Sequence, residues 1–158
     1  MGTRVGPIRT LGVNMKLVDS HSGVEVIERS ECLALLQSRF VGRLAVVEGG
    51  QPQIYPVNYA MDGDHVIFRT GEGTKFAVSS RGGAVSFEID DVDLHTRTAW
   101  SVVVSGWARV IDDLIRIERL VAVELEPWSA PSHDHWVAIN PERITGRRVA
   151  PGTRRAAS

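Results

Sequence analysis

Cysteine is almost absent from this chain of 158 residues, which contains only Cys32. A single cysteine excludes an internal disulfide and a metal site built from several thiolates. Because Cys32 lies in the apolar stretch 32–36, we expect a buried structural thiol and not a nucleophile. An unpaired thiol also suits a reducing compartment, so the sequence predicts a cytoplasmic protein.

Long apolar runs and an excess of charge are also missing. No stretch approaches the roughly 18 apolar residues that a membrane span needs. Arg4 and Arg9 are not followed by the apolar core of a signal peptide. The formal net charge of −1 creates no overall field that would attract nucleic acid. We therefore expect neither a membrane nor a nucleic acid as a partner.

The domain organisation is simple. The length and the apolar fraction of 43% are those of one globular domain with a sizeable core. Residues 1–14 carry no periodic pattern, and residues 1–20 are predicted to be a poorly ordered extension. Residues 21–150 are predicted to form the single domain, and residues 151–158 a flexible tail.

Strand patterns dominate the predicted domain. They occupy residues 42–48, 53–61, 65–70, 84–89, 99–111, 136–139 and 144–149. Gly49-Gly50 and Asp62-Gly63-Asp64 predict tight turns, so the first three strands should form an antiparallel meander. Pro56 cannot donate to a ladder and marks either a sheet edge or a bulge.

Three short helices complete the prediction. One covers 31–38 with Ser30 as its cap, a second covers 74–80, and a third begins at Asp112-Asp113. The β-branched run 121–125 leaves a strand open as an alternative for the end of the third. This content predicts a mainly β (α+β) protein, an antiparallel β-barrel of six to seven strands with short flanking helices.

Lysine is scarce as well, since the chain has sixteen arginines but only Lys16 and Lys75. Lys75 lies in the segment Ile67–Phe76, which runs from an apolar strand through a glycine-bearing turn to a predicted helix start. Free N–H groups and the helix dipole at such a start favour an anion. Arg69, Thr70, Thr74 and Lys75 would add charge and hydroxyl donors. The alternative is a solvated turn with an ordinary surface lysine.

Five segments, in this order, resemble the pyridoxamine 5′-phosphate oxidase-like superfamily of split-barrel flavin-binding proteins. They are Gly42-Arg43-Leu44-Ala45, Pro56-Val57-Asn58-Tyr59, Phe68-Arg69-Thr70 with Thr74-Lys75, Ser101–Gly106, and Pro141-Glu142-Arg143-Ile144. The resemblance covers roughly residues 25–150. It implies an FMN-binding split barrel and a homodimer, with FMN in each of two clefts between the subunits.

The resemblance also implies roles for single residues. Val57, Asn58 and Tyr59 match the strand whose backbone lies along the flavin ring. Arg69 and Thr70 match a strand end that reaches the phosphate and the ring edge. Thr74 and Lys75 match the start of the phosphate-binding helix.

Two further positions match residues near the ring. Ser101 stands where the oxidases carry a ring-contacting glutamine. Arg147 stands where they place a tryptophan that reaches the flavin from the other subunit. The oxidases also end in an Arg/His-bearing segment that holds pyridoxal phosphate, whereas this chain ends in 154–158 without histidine. The sequence therefore looks more like the flavin- or deazaflavin-dependent reductases.

Four functions follow from this resemblance. The first is an FMN-dependent oxidoreductase that transfers hydride or electrons to a small organic substrate. The second replaces FMN with the deazaflavin F420. The third is a carrier or sensor that binds flavin or haem without turnover, and the fourth is a barrel that has lost its cofactor. Protein colour and the copurifying small molecule separate them.

Several other side chains deserve a chemical interpretation. Each tryptophan is expected to pack in the core or at an interface, and Trp107 is the preferred interface and cofactor candidate because Gly106 permits close backbone approach. His133 and His135 have the spacing of a metal pair, but a polar loop is the expected interpretation, and no metal is predicted. His95 and Glu88 are considered as proton donors.

Overall fold

The computed structural model describes residues 24–71, 81–122 and 135–149. These residues contain seven strands and two helices. The strands are β1 (Glu25–Ile27), β2 (Val41–Glu48), β3 (Gln51–Asp62), β4 (His65–Thr70), β5 (Ala84–Asp93), β6 (Thr98–Val110) and β7 (His135–Val149). The helices are α1 (Arg29–Gln37) and α2 (Leu114–Val121). Among the described residues, neither helix has the length and apolar character that a membrane span requires.

All seven strands belong to one antiparallel sheet that curls into a ring. The order is β1-β7-β4-β3-β2-β5-β6, and a further pairing between β6 and β7 closes it. The seam between β2 and β5 is narrow, with three residue pairs from Arg43↔Glu88 to Ala45↔Ser86. The predicted split β-barrel is confirmed, although the ring is less regular than a closed barrel.

The two predicted hairpin turns are confirmed. Gly49 and Gly50 have φ values of 55° and 79°, which suit a two-residue turn between β2 and β3. Gly63 has a φ of 64° in the turn between β3 and β4. Both conformations cost little at glycine because it has no Cβ.

Pro56 marks a sheet edge, and the alternative of a bulge is wrong. The register from Val41↔Asn58 to Glu48↔Gln51 is unbroken, so β3 carries no bulge against β2. Residues 51–58 pair with β2 only, because the pairing of β3 with β4 is confined to Tyr59–Asp62. The other edge of this part of β3 therefore faces no described strand.

The helices follow the prediction with one correction. α1 begins at Arg29 after Glu28, whose side chain makes no capping hydrogen bond, so Ser30 is not the cap. For α2, the side chain of Asp113 accepts hydrogen bonds from the N–H groups of Ile115 and Arg116, at 3.0 and 3.3 Å. The described part of this element, up to Val121, is a helix. The predicted helix at 74–80 lies outside the described residues.

The strands differ from the prediction in three places. β5 continues to Asp93, beyond its predicted end at residue 89, because residues 90–93 pair with β6 down to Asp93↔Thr98. β1 was not predicted and covers the C-terminal half of β7. The two short strands predicted at 136–139 and 144–149 are one strand, because β7 passes Pro141 with a register shift opposite Ser105 and Gly106. Glu142 is the extra residue of this bulge.

The core lies inside the ring and under α1. Its largest fully buried side chains include Tyr59, Phe68 and Phe87, and the Tyr59 and Phe87 rings meet edge to face with centroids 4.7 Å apart. Cys32 is fully buried in this core, as predicted. A second, smaller cluster joins α2 to the outside of β4 and β7; its buried members are Ile67, Ile111, Leu120, Trp136 and Ala138.

Candidate functional site

The strands β3 and β4 separate at the point where the predicted cofactor residues lie. Their pairing ends at Tyr59↔Phe68. Beyond that point β3 continues with β2 through Asn58, whereas β4 continues with β7 through Arg69 and Thr70. We call this opening the fork, bounded by Val57 and Asn58 on β3 and by Arg69 and Thr70 on β4.

The fork carries a cation on an aromatic support. Arg69 pairs directly with Trp136 across β4 and β7. The guanidinium carbon of Arg69 lies 5.2 Å from the centre of the Trp136 ring, a distance typical of a cation–π contact. Arg69 is half-buried, and its Nε atom is fully buried.

The other residues at the fork differ in how deeply their side chains are buried. Val57 and Tyr59 are buried, and the backbone N–H of Tyr59 donates to the carbonyl of Phe40 at 2.9 Å, so neither side chain is open to a ligand. Asn58 lies between them on the opposite side and is half-buried. The hydroxyl of Thr70 is part of a buried residue and donates to the carbonyl of Gly71 at 3.1 Å.

A second group of predicted residues lies on the outward side of the ring. Alternate residues of β6 are buried at Val102 and Val104, which places Ser101, Ser105 and Trp107 outward. We call this surface the open face; it comprises the outward side chains of β2, β5, β6 and the C-terminal half of β7. None of the described residues forms a layer over it.

Ser101 and Arg147 are neighbours on the open face, because they are register partners in β6 and β7. Trp107 lies at the other end of β6, is 42% exposed, and donates from Nε1 to the Glu142 carboxylate at 2.7 Å. Gly106 beside it lies so close to β7 that a Cβ there would stand 2.0 Å from the Asn140 carbonyl oxygen. The predicted close approach at Gly106 is therefore confirmed.

A shallow groove of about 320 Å³ runs along the open face. Its floor is mostly apolar and its walls include Trp107 and Glu142. Nearby Val47 and Ile54 are 63% and 68% exposed, so this part of the surface is unusually apolar for a solvated sheet face.

The middle of the open face carries a compact ion-pair cluster. Nη1 of Arg43 bonds to Glu88 at 3.0 Å and to Asp90 at 2.7 Å. Burial, together with the charge of Asp90, raises the pKa of Glu88, and Arg43 opposes this shift. His95, the other residue considered as a proton donor, lies in the exposed turn between β5 and β6. Its backbone N–H donates to the carboxylate of Asp93.

Some predicted residues fall outside the described part of the chain. These are Thr74 and Lys75 of the predicted phosphate segment, together with His133. His135 opens β7 and is half-buried. Within residues 24–71, 81–122 and 135–149, no group of three or more His, Cys, Asp and Glu side chains is arranged to hold a metal ion.

Two features of the site had no signal in the sequence. Trp136 was assigned to general packing, but its ring supports the Arg69 guanidinium from a position 67 residues away in the chain. Glu142 faces the groove because a bulge displaces it. Both depend on the register of β7, which local periodicity does not reveal.

Comparison with known proteins places this arrangement in a family. The model of the pyridoxamine 5′-phosphate oxidase family matches residues 28–148. An uncharacterized protein of Mycobacterium tuberculosis, Rv0080, is 38% identical over 140 residues, which are 84% of this chain and 91% of that protein.

Two solved structures are similar as well. A FAD-binding protein of Mycobacterium smegmatis is 36% identical with a TM-score of 0.67, over 78% of this chain and 98% of that one. A FAD-binding protein of Mesorhizobium loti is 26% identical with a TM-score of 0.68, over 80% and 99% of the two chains. The family match, the sequence identity and the structural similarity agree, and the chain belongs to the pyridoxamine 5′-phosphate oxidase-like family.

Proposed function

We propose that this chain is a flavin-dependent oxidoreductase that acts as a homodimer. FMN would lie between the fork of one copy and the open face of the other. The observation that carries the proposal is the fork itself, where two strands separate beside a supported arginine. The two similar structures described as FAD-binding proteins support a flavin as the ligand and make FAD the natural comparison.

The fork residues fit a phosphorylated planar ring. The edge of β3 at residues 51–58 faces no other described strand, and a planar ring would lie along this edge. Arg69 supplies a cation at one end of the opening. Charge-assisted hydrogen bonds to a phosphate contribute roughly 1.5–3 kcal/mol each. Thr74 and Lys75 follow a few residues later in the chain and remain the predicted partners of the phosphate.

In this proposal a second copy supplies the residues that β7 carries far from Trp136. Trp136 and Arg147 lie eleven residues apart on the continuous strand β7. That spacing corresponds to about 36 Å along an extended strand. In the proposed dimer, a ring held at the fork of one copy would meet Ser101 and Arg147 of the other copy. The apolar open face provides a surface for that contact.

The flavin and the protein would have different roles in the proposed reaction. A bound flavin supplies hydride or electron transfer, while the protein binds and orients it and excludes water. Arg69 would neutralise phosphate charge, and the backbone of Val57 and Asn58 would set the position of the ring. The predicted substrate is a small organic molecule. The predicted compartment remains the cytoplasm, and vitamin B6 oxidation is not the predicted reaction.

A titration of the apo-protein with FMN, followed by flavin fluorescence quenching, tests the proposal. Lys75→Ala is expected to weaken FMN binding at least tenfold and to leave the far-UV circular dichroism spectrum unchanged. Lys16→Ala, which removes the only other lysine, is the matched control and should bind as the wild type does. Equal affinity of Lys75→Ala and wild type would reject the phosphate assignment.

The same preparation separates the proposed enzyme from the alternatives. Reduction of bound FMN by NADH, NADPH or reduced F420, followed by turnover with an organic acceptor, is expected for the oxidoreductase. Bound flavin that none of these donors reduces would indicate a carrier or sensor. Uptake of F420 without uptake of FMN or FAD would indicate the deazaflavin-dependent reductase. A monomeric mass by light scattering at micromolar concentration would contradict the homodimer.

A further inference from the structure

The indole ring of Trp136 is held more firmly than its position on a strand requires. Trp136 is 7% exposed and belongs to the small cluster between α2 and the strands β4 and β7. Its backbone carbonyl accepts a hydrogen bond from the N–H of Ile111 at 2.8 Å. The buried ring therefore has a fixed position on the outer side of β4, where it contacts Arg69.

The helix that covers this cluster is itself anchored at two points. Asp113 caps its N-terminus through the N–H groups of Ile115 and Arg116. The guanidinium of Arg116 then reaches Asp62 on β3 at 2.8 Å. Because α2 cannot slide along the sheet without breaking these contacts, Leu120 stays packed in the cluster that holds Trp136.

A cation–π contact with an indole leaves an arginine able to bind an anion. The guanidinium N–H groups lie in one plane, and those that do not face the ring can still donate. Those in-plane N–H groups form the bidentate bonds that match a phosphate. A free arginine would also have to give up considerable rotamer freedom on binding, and a stacked one has lost part of it beforehand.

We infer that Trp136 is a positioning residue that orients the Arg69 guanidinium toward the phosphate group of the cofactor. This inference rests on the proposed function, and it makes a claim that a packing role does not make. Trp136 should matter for a flavin that carries the 5′-phosphate and should not matter for riboflavin, which has the same ring without the phosphate.

The test compares FMN with riboflavin as probes of the apo-protein. Trp136→Leu is expected to weaken FMN binding about five- to tenfold while riboflavin binding stays within twofold of wild type. Trp136→Phe retains a weaker aromatic face and should give an intermediate FMN affinity. Leu120→Ala, the control, opens a cavity in the same cluster without touching the stack. Leu120→Ala should lower the melting temperature, but the ratio of its FMN affinity to its riboflavin affinity should equal that of the wild type.

A second comparison ties the effect to Arg69. In an Arg69→Leu background, adding Trp136→Phe is expected to cause no further loss of FMN affinity, since the stacked cation is gone. This comparison and the single Trp136→Phe variant decide the matter if Trp136→Leu does not fold.

The possible failures are distinguishable. If wild type binds FMN and the Trp136 variants weaken FMN and riboflavin equally, Trp136 is a packing residue and the inference is wrong, while the proposed function stands. An additive loss in the Arg69→Leu background leads to the same conclusion. If wild type binds neither probe, the proposed function fails and the inference fails with it.

Discussion

The phenolic hydroxyl of Tyr59 donates a hydrogen bond to the backbone carbonyl of Leu36 at 2.6 Å. Leu36 lies near the C-terminal end of α1, where helix carbonyls have no partner within the helix. Tyr59 is 1% exposed and directly follows the fork residues Val57 and Asn58 in β3. A single side chain thus ties α1 to the strand that borders the candidate site.

Removal of this hydroxyl is expected to destabilise the fold. Tyr59→Phe keeps the ring against Phe87 but leaves a buried carbonyl without its hydrogen bond, at a cost of about 1–2 kcal/mol. Urea denaturation at pH 7, monitored by tryptophan fluorescence, measures this change. A loss below about 0.3 kcal/mol would show that water replaces the hydroxyl as donor.

The same residue predicts a loss of stability at alkaline pH. Burial raises the pKa of Tyr59 well above its ordinary value of 10, and the nearby Arg39 opposes this only in part. Above pH 10 the unfolded chain releases the phenolic proton while the folded chain keeps it. The free energy of unfolding should therefore fall as pH rises, by up to about 1.4 kcal/mol per pH unit from this group.

The comparison of wild type with Tyr59→Phe isolates that contribution. The stability gap between them should be constant below pH 9 and should narrow above pH 10, since phenylalanine has no proton to lose. Urea titrations between pH 8 and pH 11 measure the gap. A gap that stays constant over this range would contradict a raised pKa.

A side chain at Gly106 is expected to disrupt the crossing of β6 and β7. In Gly106→Ala the new Cβ would meet the Asn140 carbonyl oxygen at 2.0 Å, and a backbone atom cannot rotate away as a flexible side chain can. We expect a loss of about 3 kcal/mol in the free energy of unfolding. Ser105→Ala, at the neighbouring outward position, should cost less than about 0.5 kcal/mol. Similar stabilities for the two variants would refute this account of the bulge.

A charge on the open face should separate the proposed dimer. Ser105 faces outward in the middle of this face, so Ser105→Arg adds a long cation without entering the core. We expect a folded monomer by light scattering, with at least tenfold weaker FMN binding. Glu118→Arg, on the exposed side of α2, is the control and should remain a dimer. A dimeric Ser105→Arg protein would show that the copies meet elsewhere.

Much of the fold could be predicted because its signals are local. Paired glycines at 49 and 50 indicate a two-residue turn, and Asp113 before an amphipathic run indicates a helix start. The alternation of residues along β6 distinguishes the inward Val102 and Val104 from the outward Ser101 and Trp107. Each of these depends on neighbours within a few residues.

The errors arose where distant segments override local preference. The prediction left a gap between strands at 136–139 and 144–149, yet β7 is continuous because a bulge at Glu142 lets the ladder with β6 resume. The short β1 has too few residues to show a pattern and is a strand only because β7 offers it an edge. Polar residues 90–93 extend β5 because β6 pairs with them.

The sequence by itself determined the strand-rich class, the tight turns, the buried thiol and the family to which the chain belongs, since each depends on residue type and short spacing. Only the tertiary structure decided where β3 and β4 separate and that Arg69 rests on Trp136, a residue 67 positions away. It also separated the fork from Ser101 and Arg147. The physical reason is that strand register joins distant segments through backbone hydrogen bonds and core packing, and no local stretch of sequence specifies it.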